Sequence, residues 1–131
     1  MENLKTIFIT GANRGIGLEL VKESLTKNYF VIGTYRNKEK SDELLQIKSN
    51  NIKLFEMDVV NEDSIINVSK NIKFPIDYLI CNAGINNGYG NIYDEDHSHN
   101  QMLEVLNVNV LGCILTVRHI GKHINANAKI I

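Results

Sequence analysis

The sequence predicts an α/β domain built as a doubly wound parallel sheet of about five strands, incomplete toward its C-terminus. Two observations predict it. Short apolar, β-branched runs alternate along the whole chain with segments whose apolar residues recur at helical spacing. Between the first run and the first such segment lies a glycine-rich octapeptide, TGANRGIG at 10–17, the composition of a strand-to-helix phosphate turn. A length of 131 residues with 44% apolar content suits one domain with a real core.

Each element follows in order. Residues 4–10 form a short apolar strand, and Ile16, Leu20, Val21, Ser24 and Leu25 then mark one face of a helix. Residues 29–35 are β-branched and aromatic, residues 38–48 read as a polar helix, and 52–58 return to strand chemistry. Residues 64–72 carry Ile65, Val68 and Ile72 on one helical face, closed by Pro75 ahead of a strand over 76–81. Gly88 and Gly90 mark a loop, a long helix follows over 100–123, and 129–131 read as a further strand cut short. The long helix is apolar nearly all round (Leu103, Leu106, Val110, Leu111, Ile114, Leu115, Val117), so it is expected to be covered on both sides, by the sheet and by another element or a second copy.

Ligands of such sheets sit at the carboxyl ends of the strands. That rule gathers the glycine turn, Arg36, Asp58 and Asn82 along one crevice. Gly11, Gly15 and Gly17 permit a tight turn, close backbone approach to a pyrophosphate and a helix opening on the anion. Asn13, Arg14 and Ile16 belong to the same turn. The second strand ends at Thr34-Tyr35-Arg36, with no acidic side chain to accept from the 2′-hydroxyl of NAD. Arg36 offers a fork for a 2′-phosphate and Arg14 adds a second charge, which favours NADP(H) over NAD(H). The plainer alternative makes Arg36 a solvated strand end paired with Glu39. Asp58 suits a helix N-cap before 61–63 as well as a ligand contact, and Asn82 could serve only the turn.

Four motifs in order carry a family resemblance. TGANRGIG matches the T-G-x-x-x-G-x-G turn of the short-chain dehydrogenase/reductase family, and Asp58-Val59 resembles the Asp-Val pair that ends its third strand. Cys81-Asn82-Ala83-Gly84 is similar to its N-N-A-G signature with Cys in place of the first Asn, and Asn109-Val110-Leu111-Gly112 to its N-x-x-G element. Asn13-Arg14 is similar to carbonyl-reductase-like members. The resemblance implies a single Rossmann-fold dinucleotide-binding domain over 1–131, truncated at the C-terminus relative to the family and covering about half of a family domain. It implies an oxidoreductase moving hydride between NADP(H) and a small carbonyl or alcohol substrate. Asp58 would accept from the adenine amino group with Val59 packed nearby, and Asn82, Ala83 and Gly84 would pass close to the adenosine ribose. Asn109 would kink the long helix and hold a water that links the catalytic Lys to solvent, a catalytic role; as an ordinary polar point on the helix it would need no such task.

The family's acid/base pair, a Tyr followed four residues later by Lys, does not occur here. Tyr29, Tyr35, Tyr78, Tyr89 and Tyr93 are followed at that distance by Gly33, Glu39, Asn82, Tyr93 and His97. The family's Ser and its Tyr and Lys follow the strand that begins at Lys129, so these 131 residues are expected to be inactive alone. Two readings result: the cofactor-binding half of an oxidoreductase, or a catalytically silent nucleotide-binding or interaction module.

Composition narrows the partners. A net charge of −1 with dispersed Lys and Arg offers no footprint for nucleic acid or an anionic membrane. Two cysteines without metal-type spacing and no leader-like apolar run at the N-terminus make a reduced, cytoplasmic protein the expectation. His119 and His123 are spaced i, i+4 but lack the Glu of a metalloprotease motif, so no metal is expected and both are read as a solvated helix end. His97 and His99, beside Asp94, Glu95 and Asp96, read as a surface loop and part of a substrate rim. The helix over 100–123 is the expected surface for pairing with a second copy.

Overall fold

A computed structural model of the chain describes residues 4–88 and 90–131; Tyr89, one of the five tyrosines, lies outside the described residues. Strands β1 (Thr6–Ile9), β2 (Phe30–Tyr35), β3 (Ile52–Glu56), β4 (Ile76–Ile80) and β5 (Ile124–Ile130) form one sheet in the order β3-β2-β1-β4-β5. All four pairings are parallel. Helices α1 (Gly15–Thr26), α2 (Asp42–Leu45), α3 (Glu62–Lys70), α4 (His99–Leu106) and α5 (Gly112–Ile120) make the crossovers. The expected doubly wound architecture is therefore the observed one.

Alternation along the central strands builds two apolar layers. Ile7, Ile9 and Val31 face α1 and α2 and pack with Ala12, Leu18, Val21 and Leu44. Phe8 and Ile32 face the opposite way and pack with Ile65, Val68, Leu79, Val108 and Ile120. Phe8, Ile9, Val21, Leu44, Ile65, Leu79 and Ile120 are all 0% exposed. Each large side chain so buried contributes about 1.5–3 kcal/mol, so the two layers are the main source of stability.

Several local expectations are corrected. The polar helix expected over 38–48 is a 3-10 turn, Lys38–Lys40, followed by the short α2. Asn37 caps the turn by accepting from Glu39 N at 3.0 Å, and the Ser41 hydroxyl donates back to Asn37 O at 2.6 Å, so the helix restarts at Ser41. Asp58 is not the cap of α3. Asn61 is, its Oδ1 accepting from Ser64 N at 3.2 Å, while Asp58 Oδ1 accepts from Val60 N at 3.1 Å within a local turn.

The last strand starts at Ile124 rather than Lys129 and is 7 residues long, an ordinary strand length. Its early part is irregular against β4 between Ile76 and Tyr78. There the Asp77 carboxylate accepts from Asn125 Nδ2 through one oxygen and from Thr6 N through the other, both at 2.7 Å, tying β5 and β1 to β4.

The long helix is continuous over His99–His123, and the chain itself covers one side of it. Val108, Thr116 and Ile120 are buried against the sheet, whereas Met102, Leu103, Leu106, Val110, Leu111 and Ile114 are exposed. Its length and composition would suffice to span a bilayer, yet one face is committed to the core. Between α4 and α5 it widens into a π turn, Asn107–Leu111. Nor are its C-terminal histidines simply solvated. His119 Nε2 lies 2.6 Å from Glu62 Oε1 on α3, and His123 Nε2 lies 2.9 Å from Ser69 Oγ. Burial, and after it the neighbouring Lys122, hold His123 below 6.5. Among the described residues no three His, Cys, Asp or Glu side chains converge as a metal site would require.

Candidate functional site

At the carboxyl ends of β1 to β4 the sheet opens into a cleft of about 550 Å³. Its position is set by topology. The chain winds outward from β1 to β2 and β3, then returns to β4 on the other side, and the loops part at that reversal.

The turn after β1 forms the floor. Gly11 sits at φ +63°, and a Cβ there would lie 2.9 Å from Ala83 Cα, so a side chain is excluded by conformation and by space. Gly17 is buried in the first turn of α1, where a Cβ would overlap the Gly11 carbonyl oxygen. Helix α1 has no side-chain cap and no acidic residue in its first turn. Its leading N–H groups are the unspent donors an anion would take.

The end of β4 is stitched to this turn. Asn82 Nδ2 donates to Thr10 O at 3.2 Å and to Gly11 O at 3.0 Å, and Ala83 N donates to Thr10 Oγ1 at 3.0 Å. The Asn82 amide is thus committed to holding the turn. On the other side Ala12 N donates to Thr34 O at 2.8 Å, joining the turn to β2.

Of the residues singled out in the sequence, Gly11, Asn13, Arg14, Gly15 and Ile16 line the cleft from the turn. Arg36, Asp58 and Val59 line it from the ends of β2 and β3, and Asn82, Ala83 and Gly84 from the end of β4. Gly17 lies beneath the surface, and Asn109 lies behind Gly84. The Asn109 side chain is satisfied at both ends by one residue: its Nδ2 donates to Ile85 O at 2.9 Å and its Oδ1 accepts from Ile85 N at 2.8 Å. This clamp sits within the π turn, so the helix is distorted where the resemblance places a kink.

Asn37, Lys40, Met57, Ile85 and Val108 also line the cleft and were not singled out. Lys40 had a weak signal, a cation four positions beyond Arg36. The cleft therefore carries Arg14, Arg36 and Lys40 against the single carboxylate of Asp58. Among the described residues Arg36 forms no ion pair with Glu39, unlike Lys22, which bridges Glu19 and Glu43.

Cys81 stands immediately before Asn82 with its thiol next to that of Cys113, and both are free. Burial, reinforced by the Cys113 thiol, pushes Cys81 up to about 12. Only the thiolate reacts, and at pH 8 the raised Cys81 is held almost wholly as the unreactive thiol. Native protein treated with iodoacetamide at pH 8 is accordingly expected to keep Cys81 unlabelled, and urea to expose it, as read by peptide mass; rapid native labelling would contradict this.

Comparison with known proteins agrees with this geometry. The model of the short chain dehydrogenase family matches residues 5–131. Uncharacterized oxidoreductase YusZ of Bacillus subtilis is 34% identical over 140 residues, covering 98% of this chain and 48% of that protein. The 3-oxoacyl-(acyl-carrier-protein) reductase FabG of Buchnera aphidicola subsp. Acyrthosiphon pisum is 38% identical over 86 residues, 63% of this chain and 35% of that protein. Among solved structures, ElxO with NADP bound superposes with a TM-score of 0.80 at 29% identity, covering 92% of this chain and 50% of that one. The chain spans about half the length of YusZ and of ElxO. With the parallel sheet, the glycine turn and a family match over nearly every residue, the chain belongs to the short chain dehydrogenase family.

Proposed function

We propose that the cleft binds NADP(H) and that the chain is the cofactor-binding part of an oxidoreductase exchanging hydride with a carbonyl or alcohol carbon. One observation carries the cofactor assignment: Arg14, Arg36 and Lys40 line a cleft whose floor is an uncapped helix N-terminus. A pyrophosphate suits the N–H groups that open α1, and a 2′-phosphate suits the cations beyond them. NADP in the related ElxO structure supports the same choice. Asp58 would accept from the adenine amino group against Val59, and the backbone at Ala83 and Gly84 would run beside the ribose. The bound nicotinamide supplies the hydride; this chain's residues hold and orient it. Asn109, through its clamp on Ile85, keeps the wall behind Gly84 in place and would hold a water there.

Pairing with a second copy belongs to the same proposal, supported by the exposed apolar face of His99–His123. So does a cytoplasmic setting. The second reading is a nucleotide-binding module without hydride transfer.

Arg36→Ala tests the cofactor choice. Losing charge-assisted bonds to a 2′-phosphate is expected to weaken NADPH about tenfold to a hundredfold while NADH changes less than about twofold. Titration of reduced-nicotinamide fluorescence reads both constants. Equal losses would remove Arg36 from the 2′-phosphate site.

A further inference from the structure

The cations of the cleft come from two separate loops, and one side chain joins those loops. Asn13, in the glycine turn, donates through Nδ2 to Lys40 O at 3.0 Å, across 27 positions of sequence. Residues 37–41 form a compact hub. Lys40 N donates to Asn37 O at 3.2 Å, Ser41 N to Lys38 O at 3.1 Å, and the Ser41 hydroxyl to Asn37 O at 2.6 Å. Ser41 is 0% exposed, so the hub is anchored below, while Arg36 just before it and Lys40 within it line the cleft.

We infer that Asn13 is a positioning residue for cofactor discrimination. By holding the Lys40 carbonyl it fixes how far the hub stands from the glycine turn, and hence where the Lys40 cation meets a 2′-phosphate. The inference rests on the NADP(H) assignment above and adds to it a residue that acts through another rather than by contact. Two other ties keep the loops together without Asn13: the Ala12 N to Thr34 O bond and the Lys22 to Glu43 ion pair at 2.8 Å. Removing the Asn13 amide therefore leaves the fold intact and frees only the upper wall.

The test compares 2′,5′-ADP with 5′-AMP, which differ by the 2′-phosphate alone, in calorimetric titrations of the 131-residue chain. Losing one neutral hydrogen bond that orders a cation is expected to weaken 2′,5′-ADP by roughly fivefold to tenfold in Asn13→Ala, and 5′-AMP by less than about twofold. Asn13→Ser, too short to reach Lys40, is expected to show the same selective loss. In a Lys40→Ala background Asn13→Ala is expected to add less than about twofold, because the cation it places is gone. Equal losses on the two ligands, or full additivity with Lys40→Ala, would overturn the inference. Arg36→Ala separates the two levels. A selective loss there with none in Asn13→Ala would sink the positioning role alone, and no selective loss in either would sink the NADP(H) assignment as well.

Discussion

Gly17→Ala is expected to cost about 3 kcal/mol and to abolish measurable NADPH binding, although it adds one methyl group. The new Cβ would overlap the Gly11 carbonyl oxygen and sit 2.5 Å from Asn82 Nδ2. Neither neighbour is the free end of a flexible side chain. Gly11 is held at φ +63° with Ala83 packed against it, and Asn82 is held by its bonds to Thr10 O and Gly11 O. Relief requires the turn to lift, which breaks two hydrogen bonds worth about 1 kcal/mol each and moves the N–H groups at the start of α1. A urea titration should show the midpoint falling by about 1–2 M. A variant as stable as the parent would mean that the turn is softer than its contacts imply.

The 131 residues are expected to bind NADPH without oxidising it when a ketone or aldehyde is supplied. Reduction of a carbonyl needs a proton delivered to the forming alkoxide, and a positioned acid is worth about 10²- to 10⁴-fold. Among the described residues no tyrosine lines the cleft, whose charged groups are Arg14, Arg36, Lys40 and Asp58. Tyr29 and Tyr78 stack on each other with ring centroids 5.9 Å apart, Tyr35 packs into the layer with Val31 and Leu44, and Tyr93 is 91% exposed. Incubation with NADPH and a panel of ketones and aldehydes should leave reduced-nicotinamide absorbance decaying at the buffer rate. Carbonyl-dependent decay that follows protein concentration would overturn the expectation and point to a proton donor elsewhere on the chain.

The sequence was most legible where chemistry and periodicity coincide. TGANRGIG declared its turn because glycine is needed at Gly11 and Gly17 for reasons of φ and space. The two-sided burial of the central strands was legible as unbroken apolar runs. The early part of β5 was missed because Asn125, Ala126, Asn127 and Ala128 carry no β-branched signal and are held partly through the Asp77 carboxylate. Asn61, not Asp58, caps α3, because a cap depends on where the backbone turns and not on which acceptor comes first. The clamp of Asn109 on Ile85 and the tie of Asn13 to Lys40 join residues 24 and 27 positions apart, and no local pattern encodes such pairs.

The two apolar layers differ in when a growing chain could complete them. Buried members of the layer over α1 and α2 all lie between Ile7 and Leu44, whereas those of the other run from Phe8 to Ile120. On the ribosome the first layer is available several seconds before the second at ordinary elongation rates. During that interval Phe8 and Ile32 face outward from a half-built sheet, and β1 still lacks its partner β4. The nascent protein is thus most exposed to holdase chaperones, and to pairing with the wrong strand, after its nucleotide turn has been made and before the long helix emerges to cover the open face.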